Sequence, residues 1–277
     1  MNNHIDRNNR LSEYLSNWEN YKPTFIYDFN VGSGGIGDCI IFYIMTLQVC
    51  MKHKIKLYYQ INNTELEKYL KLKYDFLYIR NSTNTNAETI ENIDTFHTLH
   101  PDKTYIIKPG LYYNYIKYED IYLLISDVFT FSSEVIDNSQ LVYPSKPNDY
   151  IAIHLRLGDK YLETDPEYIV VKQDVRSFDI TKLYNFIEQY TNHIPIFFFC
   201  DNNHFKKVLK QKYPQLHMTA CPIGHTSLFN TQPQDVLNAI TEFYLIVASN
   251  HICCVSKSGF SMVASKFHNT PTTILYE

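Results

Sequence analysis

Three stretches of this chain place groups able to hold an anion directly after a run of strand-like apolar residues. In Ile151-Ala152-Ile153-His154-Leu155-Arg156-Leu157-Gly158-Asp159-Lys160 the apolar run ends in His154, Arg156, Asp159 and Lys160 around a glycine. An arginine at such a place can grip a diphosphate through two parallel N–H bonds, and Gly158 lets the backbone come close. The same residues would also make a surface turn in which Arg and Asp pair with each other. Phe197-Phe198-Phe199-Cys200-Asp201-Asn202-Asn203-His204 ends a second apolar run in a carboxylate and amides. Asp201 either accepts hydrogen bonds from a base or ribose or caps the helix that follows. Val255-Ser256-Lys257-Ser258-Gly259-Phe260-Ser261 passes from strand to helix through small hydroxylated residues. That is either an anion site built of open N–H groups or an ordinary serine-capped helix. Ligands of open parallel sheets bind beyond the carboxyl ends of the strands. Three such ends in one half of the chain therefore point to one shared ligand.

A fourth candidate lies near the N-terminus, where Gly34, Gly35 and Gly37 precede Asp38. The turn lacks the spacing and lysine of a P-loop and the full dinucleotide fingerprint, so it fits only a close backbone approach at a cleft. The chain has no Asp-x-Asp triplet, which argues against a diphosphate clamped through a divalent ion, and no HExxH or GxSxG motif.

The elements that must position these groups alternate. The pattern predicts a short helix over 11–18, a strand over 24–31, a Gly-rich turn over 32–38, a helix over 39–54 and a strand over 55–61. A helix over 64–73, a strand over 76–80 and a polar loop over 81–92 follow, and 93–143 resists assignment. The turn cluster Lys146-Pro147-Asn148-Asp149 is the expected boundary between a first domain, 1–147, and a second, 148–277. The second half reads as strand 150–155, loop 156–178, a helix over 179–193 capped by Asp179, strand 194–201, helix 203–212, strand 216–221, helix 233–249, strand 251–256, helix 259–268 and strand 272–276. Strands alternating with helices predict an α/β protein with parallel sheets covered on both faces, in two halves facing a central cleft.

Composition narrows the class further. The 277 residues are 45% hydrophobic and 19% charged, with net charge −4, which argues against nucleic-acid binding by phosphate neutralisation. The six cysteines form no CxxC pair and sit mostly in apolar runs, as reduced packing residues do. No secretory signal is visible and no stretch nears the roughly 18 uninterrupted apolar residues of a membrane span, so a cytoplasmic location is expected.

His154-Leu155-Arg156-Leu157-Gly158-Asp159-Lys160 resembles the H-x-R-x-G-D/T-D-K signature of the fucosyltransferase superfamily, which includes the alpha-1,2-, alpha-1,6- and protein O-fucosyltransferases. Ser177-Phe178-Asp179-Ile180, Phe199-Cys200-Asp201-Asn202 and the stretch from Glu242 to Ser261 resemble later segments of that group in the same order. Gly34-Gly35-Ile36-Gly37-Asp38 is similar to its G-G-L-G-N opening, with Asp in place of Asn. The likeness covers about 150–268. It departs where Leu157 replaces a second arginine found in many members and where a paired Trp after Ser261 is missing.

The resemblance implies a GT-B-like fold of two Rossmann-like domains, with a nucleotide-sugar donor in the second and a glycan acceptor towards the first, and with no metal or other cofactor. It implies that Arg156 holds the donor β-phosphate, that Ser258, Phe260 and Ser261 line the phosphate and base pocket, and that Asp201 lies near the base or ribose. His154, Gly158, Asp159, Lys160, Ser256 and Gly259 complete the expected donor site. The implied reaction is inverting transfer of a sugar, foremost fucose from GDP-fucose, to an acceptor hydroxyl, with Asp38 as candidate base and Asp159 orienting Arg156. Arg176 stands open between a second phosphate contact and a surface residue. Another nucleotide sugar on the same scaffold, or a degenerate protein that binds nucleotide or glycan without catalysis, are the alternative readings.

Overall fold

The computed structural model describes residues 2–30, 32–61, 64–79, 87–91, 98–111, 116–143, 148–161, 174–221, 224–226 and 231–276, with their side chains from residue 9 onward except that of residue 64. The first half runs α1 (Asn2–Asn17), β1 (Thr24–Phe29), α2 (Ile36–His53), β2 (Lys56–Ile61), α3 (Thr64–Tyr69), β3 (Leu70–Leu72), β4 (Glu88–Ile90), β5 (Thr104–Ile107), α4 (Ile125–Val128), β6 (Phe129–Phe131) and α5 (Ser133–Val142). The second runs β7 (Ile151–Leu155), α6 (Ile180–Tyr190), β8 (Ile196–Cys200), α7 (Asn203–Lys212), α8 (Pro233–Val247), β9 (His251–Cys254), α9 (Gly259–His268) and β10 (Thr272–Ile274). Two four-stranded sheets result, ordered β2-β1-β5-β4 and β10-β9-β7-β8, and every pairing within them is parallel. The expected α/β architecture with two parallel sheets is what the chain adopts.

Alternation along the second sheet decides which residues can reach a ligand. Ile151, Ile153 and Leu155 of β7 pack with Ile196, Phe198 and Cys200 of β8 into a cluster beneath α6 and α7. Ala152, Phe197, Phe199, Ile252 and Cys254 face the other way, into a larger cluster shared with the first sheet, α8 and α9. His154 occupies the β7 position on this second face, so it points toward the side where the two halves meet. At the opposite end of the molecule, α1 covers the edge strand β2: the Tyr14 hydroxyl donates to the Ile55 carbonyl at 2.7 Å and accepts from the Leu57 N–H at 3.1 Å, while Trp18 Nε1 donates to the Leu57 carbonyl at 3.0 Å. This hides a strand edge that would otherwise invite pairing.

Several sequence expectations are corrected. The N-terminal helix is longer than 11–18. The helix expected over 64–73 stops at Tyr69, because Leu70-Lys71-Leu72 alternates buried, exposed, buried and pairs antiparallel with Phe129–Phe131, within the unassigned region. Asp75–Leu77 is a 3-10 turn instead of a strand, and only Tyr78 bridges to Tyr59. The polar loop 81–92 contains β4, which a single buried side chain, Ile90, could not announce. The strand expected over 216–221 reduces to one bridge between His217 and Phe197. Helix α2 begins at Ile36, three residues early, so Gly37 and Asp38 sit in its first turn instead of a loop. Residues 144–147, where the domain boundary was expected, lie outside the described residues. Of the tyrosines in 105–122, Tyr105 is buried and Tyr118 and Tyr122 pack against the main core, leaving 112–115 outside the described residues. None of the six cysteines forms a disulfide, and all but the half-buried Cys221 are buried. Among the described residues no helix is long and apolar enough to cross a membrane.

The two halves meet through α2 and α9. A β-carbon on Gly37 would stand 2.9 Å from the carbonyl carbon of Gly259, 3.0 Å from its oxygen and 3.2 Å from the Phe260 nitrogen. Inside an ordinary helix Gly→Ala gains roughly 1 kcal/mol. Here the sign should reverse: Gly37→Ala is expected to lower unfolding stability by about 1–3 kcal/mol through overpacking. Urea denaturation of the two proteins checks this, and a stabilised variant would contradict the close approach.

Candidate functional site

The carboxyl ends of β7, β8 and β9 converge with the first turn of α2 around a cavity of about 240 Å³. Its walls carry Gly35, Gly37 and Asp38 from the first half, and His154, Arg156, Arg176, Asp201, His225, Glu242, Ser258, Gly259 and Phe260 from the second. A larger depression of about 640 Å³ lies at the far end of α2, bounded by residues such as Tyr14, Gln48, Lys54 and Tyr122. It touches none of the strand ends, so size alone does not mark the site.

Arg156 is organised from several directions. Its Nη2 pairs with buried Asp159, and its Nε lies 3.2 Å from Asp201 Oδ2. Asp201 also accepts the N–H groups of Leu157 at 2.8 Å and Gly158 at 3.1 Å. Ser256 closes the back: its hydroxyl accepts the Arg156 N–H at 2.9 Å and donates to the Arg156 carbonyl at 2.7 Å. The loop after β7 is thereby tied to the ends of both neighbouring strands. Burial raises the Asp201 pKa, against the opposing pull of Arg156 and the backbone donors.

This geometry settles several open alternatives. Asp201 does not cap α7; Asn202 does, accepting the Phe205 N–H at 2.7 Å. Asp179 caps α6 as expected, accepting from Thr181 at 2.8 Å and Lys182 at 3.2 Å. Asp159 lies behind Arg156 and does not line the cavity, in keeping with an orienting role. Gly158, at φ +107°, is needed because a β-carbon there would stand 2.4 Å from the Asp174 carbonyl oxygen of a neighbouring loop. Gly34, at φ +142°, similarly clears the Asp38 side chain. Lys160 is exposed with its ammonium 5.9 Å from the Tyr161 ring centre, off the cavity wall. Ser256 and Ser261 are wholly buried beneath the wall, so of the serines only Ser258 reaches the cavity, as N-cap of α9.

Two helix N-termini, those of α2 and α9, open onto the same space, and both favour negative charge. Asp38 stands between them. One of its oxygens accepts the Gly35 N–H at 3.1 Å, and burial raises its pKa, partly offset by that N–H and by the Arg176 charge. His154 lies under Phe260, ring centres 5.3 Å apart and 23° from parallel, and its Nδ1 has no hydrogen-bond partner among the described residues. Burial, then the charges of Arg156 and Lys206, lowers the His154 pKa to about 3, so the ring is neutral across the working pH range. Burial and Arg156 lower that of His225 as well.

Glu242 is a wall residue that the sequence reading did not single out as functional. It projects from α8, hydrogen-bonded to the Thr219 hydroxyl and 3.5 Å from buried Lys206 Nζ, which also donates to Thr219 Oγ1 at 3.1 Å. A carboxylate inside the apolar run of 236–247 was the available signal. Lys206 gave none, since its helix reads as a lysine-rich surface. Among the described residues no three His, Cys, Asp or Glu side chains converge as a metal-ligand set.

No protein-family model matches the chain, and no curated protein matches it in sequence. Solved structures do match in fold. The NodZ alpha-1,6-fucosyltransferase soaked with GDP-fucose superimposes with a TM-score of 0.57 at 10% identity, over 89% of this chain and 92% of that one. NodZ from Bradyrhizobium in selenomethionine form gives 0.56 at 10% identity, over 88% and 91%. An Arabidopsis thaliana FUT1 mutant in complex with GDP gives 0.50 at 10% identity, over 97% of this chain and 75% of that one. The fold is therefore GT-B-like, of the kind found in these fucosyltransferases.

The buried neutral His154 makes stability depend on pH with a definite sign. Between about pH 6.5 and 3 the unfolded chain binds a proton at His154 that the folded chain refuses, so this residue's contribution is present above 6.5 and is lost as the pH falls. His154→Phe, which keeps a ring under Phe260, is expected to remove that slope, about 1.4 kcal/mol per pH unit. Urea denaturation of both proteins at pH 6.5 and 4.5 measures it, and parallel pH curves would contradict the burial of a neutral ring.

Proposed function

We propose that this chain is an inverting glycosyltransferase that moves a sugar, foremost fucose from GDP-fucose, to a hydroxyl of a glycan acceptor. The observation that carries the proposal is the cavity itself: an arginine fixed by two carboxylates and a serine, facing two helix N-termini at the carboxyl ends of parallel strands. Such a wall matches a diphosphate that gains negative charge as it departs. NodZ soaked with GDP-fucose and FUT1 with GDP supply the nucleotide analogy, and the shared fold supports carrying it over.

In the proposed reaction the acceptor oxygen attacks the anomeric carbon from the face opposite the diphosphate. The bond from that carbon to the β-phosphate oxygen breaks, GDP leaves with the electron pair, and the configuration inverts. The acceptor proton passes to Asp38, the carboxylate on the first-half wall of the cavity. Arg156 and the N–H groups at the start of α9 receive the charge that develops on GDP. With positive charge supplied by the protein, the reaction as proposed uses no metal. Glu242, across the cavity, has Oε1 held by Thr219 and Lys206, which leaves Oε2 to accept an N–H of the guanine base. A cytoplasmic location is part of the same proposal.

Calorimetric titration without metal should give GDP binding at least tenfold tighter than UDP binding. Arg156→Lys keeps the charge that the two carboxylates need but loses the planar fork, and is expected to weaken GDP about tenfold or more. Equal affinity for UDP would remove the GDP-fucose reading, and no nucleotide binding by folded protein would remove the transferase reading. Asp38→Asn is expected to bind GDP within about twofold of wild type while turnover falls roughly a hundredfold. Because burial raises the Asp38 pKa, the acid limb of wild-type turnover should lie at higher pH than an ordinary carboxylate would give. An Asp38→Asn protein with full turnover would exclude it as the base.

A further inference from the structure

Resting on the donor reading above, we infer that Arg176, from the loop that packs beside Gly158, is a principal contact of the donor's β-phosphate. The hydrogen-bond inventory of the two cavity arginines leads to this. Arg156 hydrogen-bonds Asp159 through Nη2 and stands in an ion pair with Asp201, 3.2 Å from its Nε; both carboxylates are buried, so its one positive charge already faces two negative ones. Only Nη1 lies outside both pairs. Arg176 meets a single carboxylate, Asp174, at 2.7 Å through Nε, and in an alignment that makes no hydrogen bond. Both of its terminal amines are without a partner among the described residues, and these two amines form the fork that matches two phosphate oxygens.

The segment carrying Arg176 is held in place. The Arg176 N–H donates to the Leu157 carbonyl at 2.8 Å, and the Lys160 N–H donates to the Asp174 carbonyl at 3.2 Å. The absent side chain of Gly158 gives Asp174 its room. Side-chain exposure is 39% for Arg176 against 20% for Arg156, and both line the same cavity. Leu157 turns its side chain into the apolar cluster under α6 and α7, so the residue beside Arg156 brings no charge to the site. Arg176 supplies from a separate loop the second cation that the diphosphate requires, and its charge reaches across the cavity to Asp38.

The test compares GDP with GMP, which lacks the β-phosphate, by calorimetry on the full chain. Arg176→Ala should weaken GDP about ten- to a hundredfold and GMP less than threefold, with thermal melting unchanged. Arg176→Lys should recover part of the GDP affinity, since charge returns without the fork. GDP affinity unchanged in Arg176→Ala, or GDP and GMP weakened by the same factor, would overturn the inference while leaving the donor reading intact. A wild-type protein that binds neither nucleotide would overturn both.

Discussion

The site depends on one buried carboxylate. Asp201, at the end of β8, gathers the loop that follows β7 by accepting two backbone N–H groups and pairing in charge with Arg156, whose Nε lies 3.2 Å away. Removing a carboxylate from water costs several kcal/mol. Hydrogen bonds to charged groups return about 1.5–3 kcal/mol each. The two nearly balance, and a pKa still raised by burial shows that the desolvation is not fully offset. What the residual expense secures is geometry: without Asp201 the guanidinium of Arg156 would have Asp159 alone to orient it, and the N–H groups of Leu157 and Gly158 would lose their acceptor.

A second constraint acts where the two halves touch. The large apolar cluster is continuous from the first sheet through α8 and α9 to the second, so the floor of the cleft is a shared core and not a hinge of loose loops. Gly37 allows α2 to rest on the backbone of Gly259 and Phe260, which brings the N-termini of α2 and α9 onto the same cavity. Close packing at that point is therefore also what brings Asp38 within range of the strand ends that carry Arg156 and Ser258. Stability and site geometry are set by the same contact.

Much of this was legible in the residues. Apolar runs ending in Arg156, Asp201 and Ser258 marked three strand ends; that His154 lies on the face opposite Ile151, Ile153 and Leu155 emerged only from the fold, since all five residues of β7 are buried. The roles within the cluster were less legible, because they depend on partners far apart in sequence. Asp201 was weighed as a cap or a base contact, yet it bonds backbone 43 and 44 residues away. Ser256 was expected to meet ligand, yet it binds the backbone of Arg156. Short elements were lost for a different reason: Leu70–Leu72 and Phe129–Phe131 have three residues each, and only their mutual pairing makes them strands. Lys206 looked like one of many surface lysines until Thr219 and Glu242 closed over it.

The proposed function requires one nucleotide diphosphate to sit between the N-termini of α2 and α9. Hydrogen–deuterium exchange with and without GDP tests this most directly, since it reports on both halves in one sample. Slowed exchange is expected at 35–39, at 156–160 and at 258–262 together, with no change around Gln48 and Tyr122 beside the larger depression. Protection confined to that depression, or to one half of the molecule alone, would contradict it.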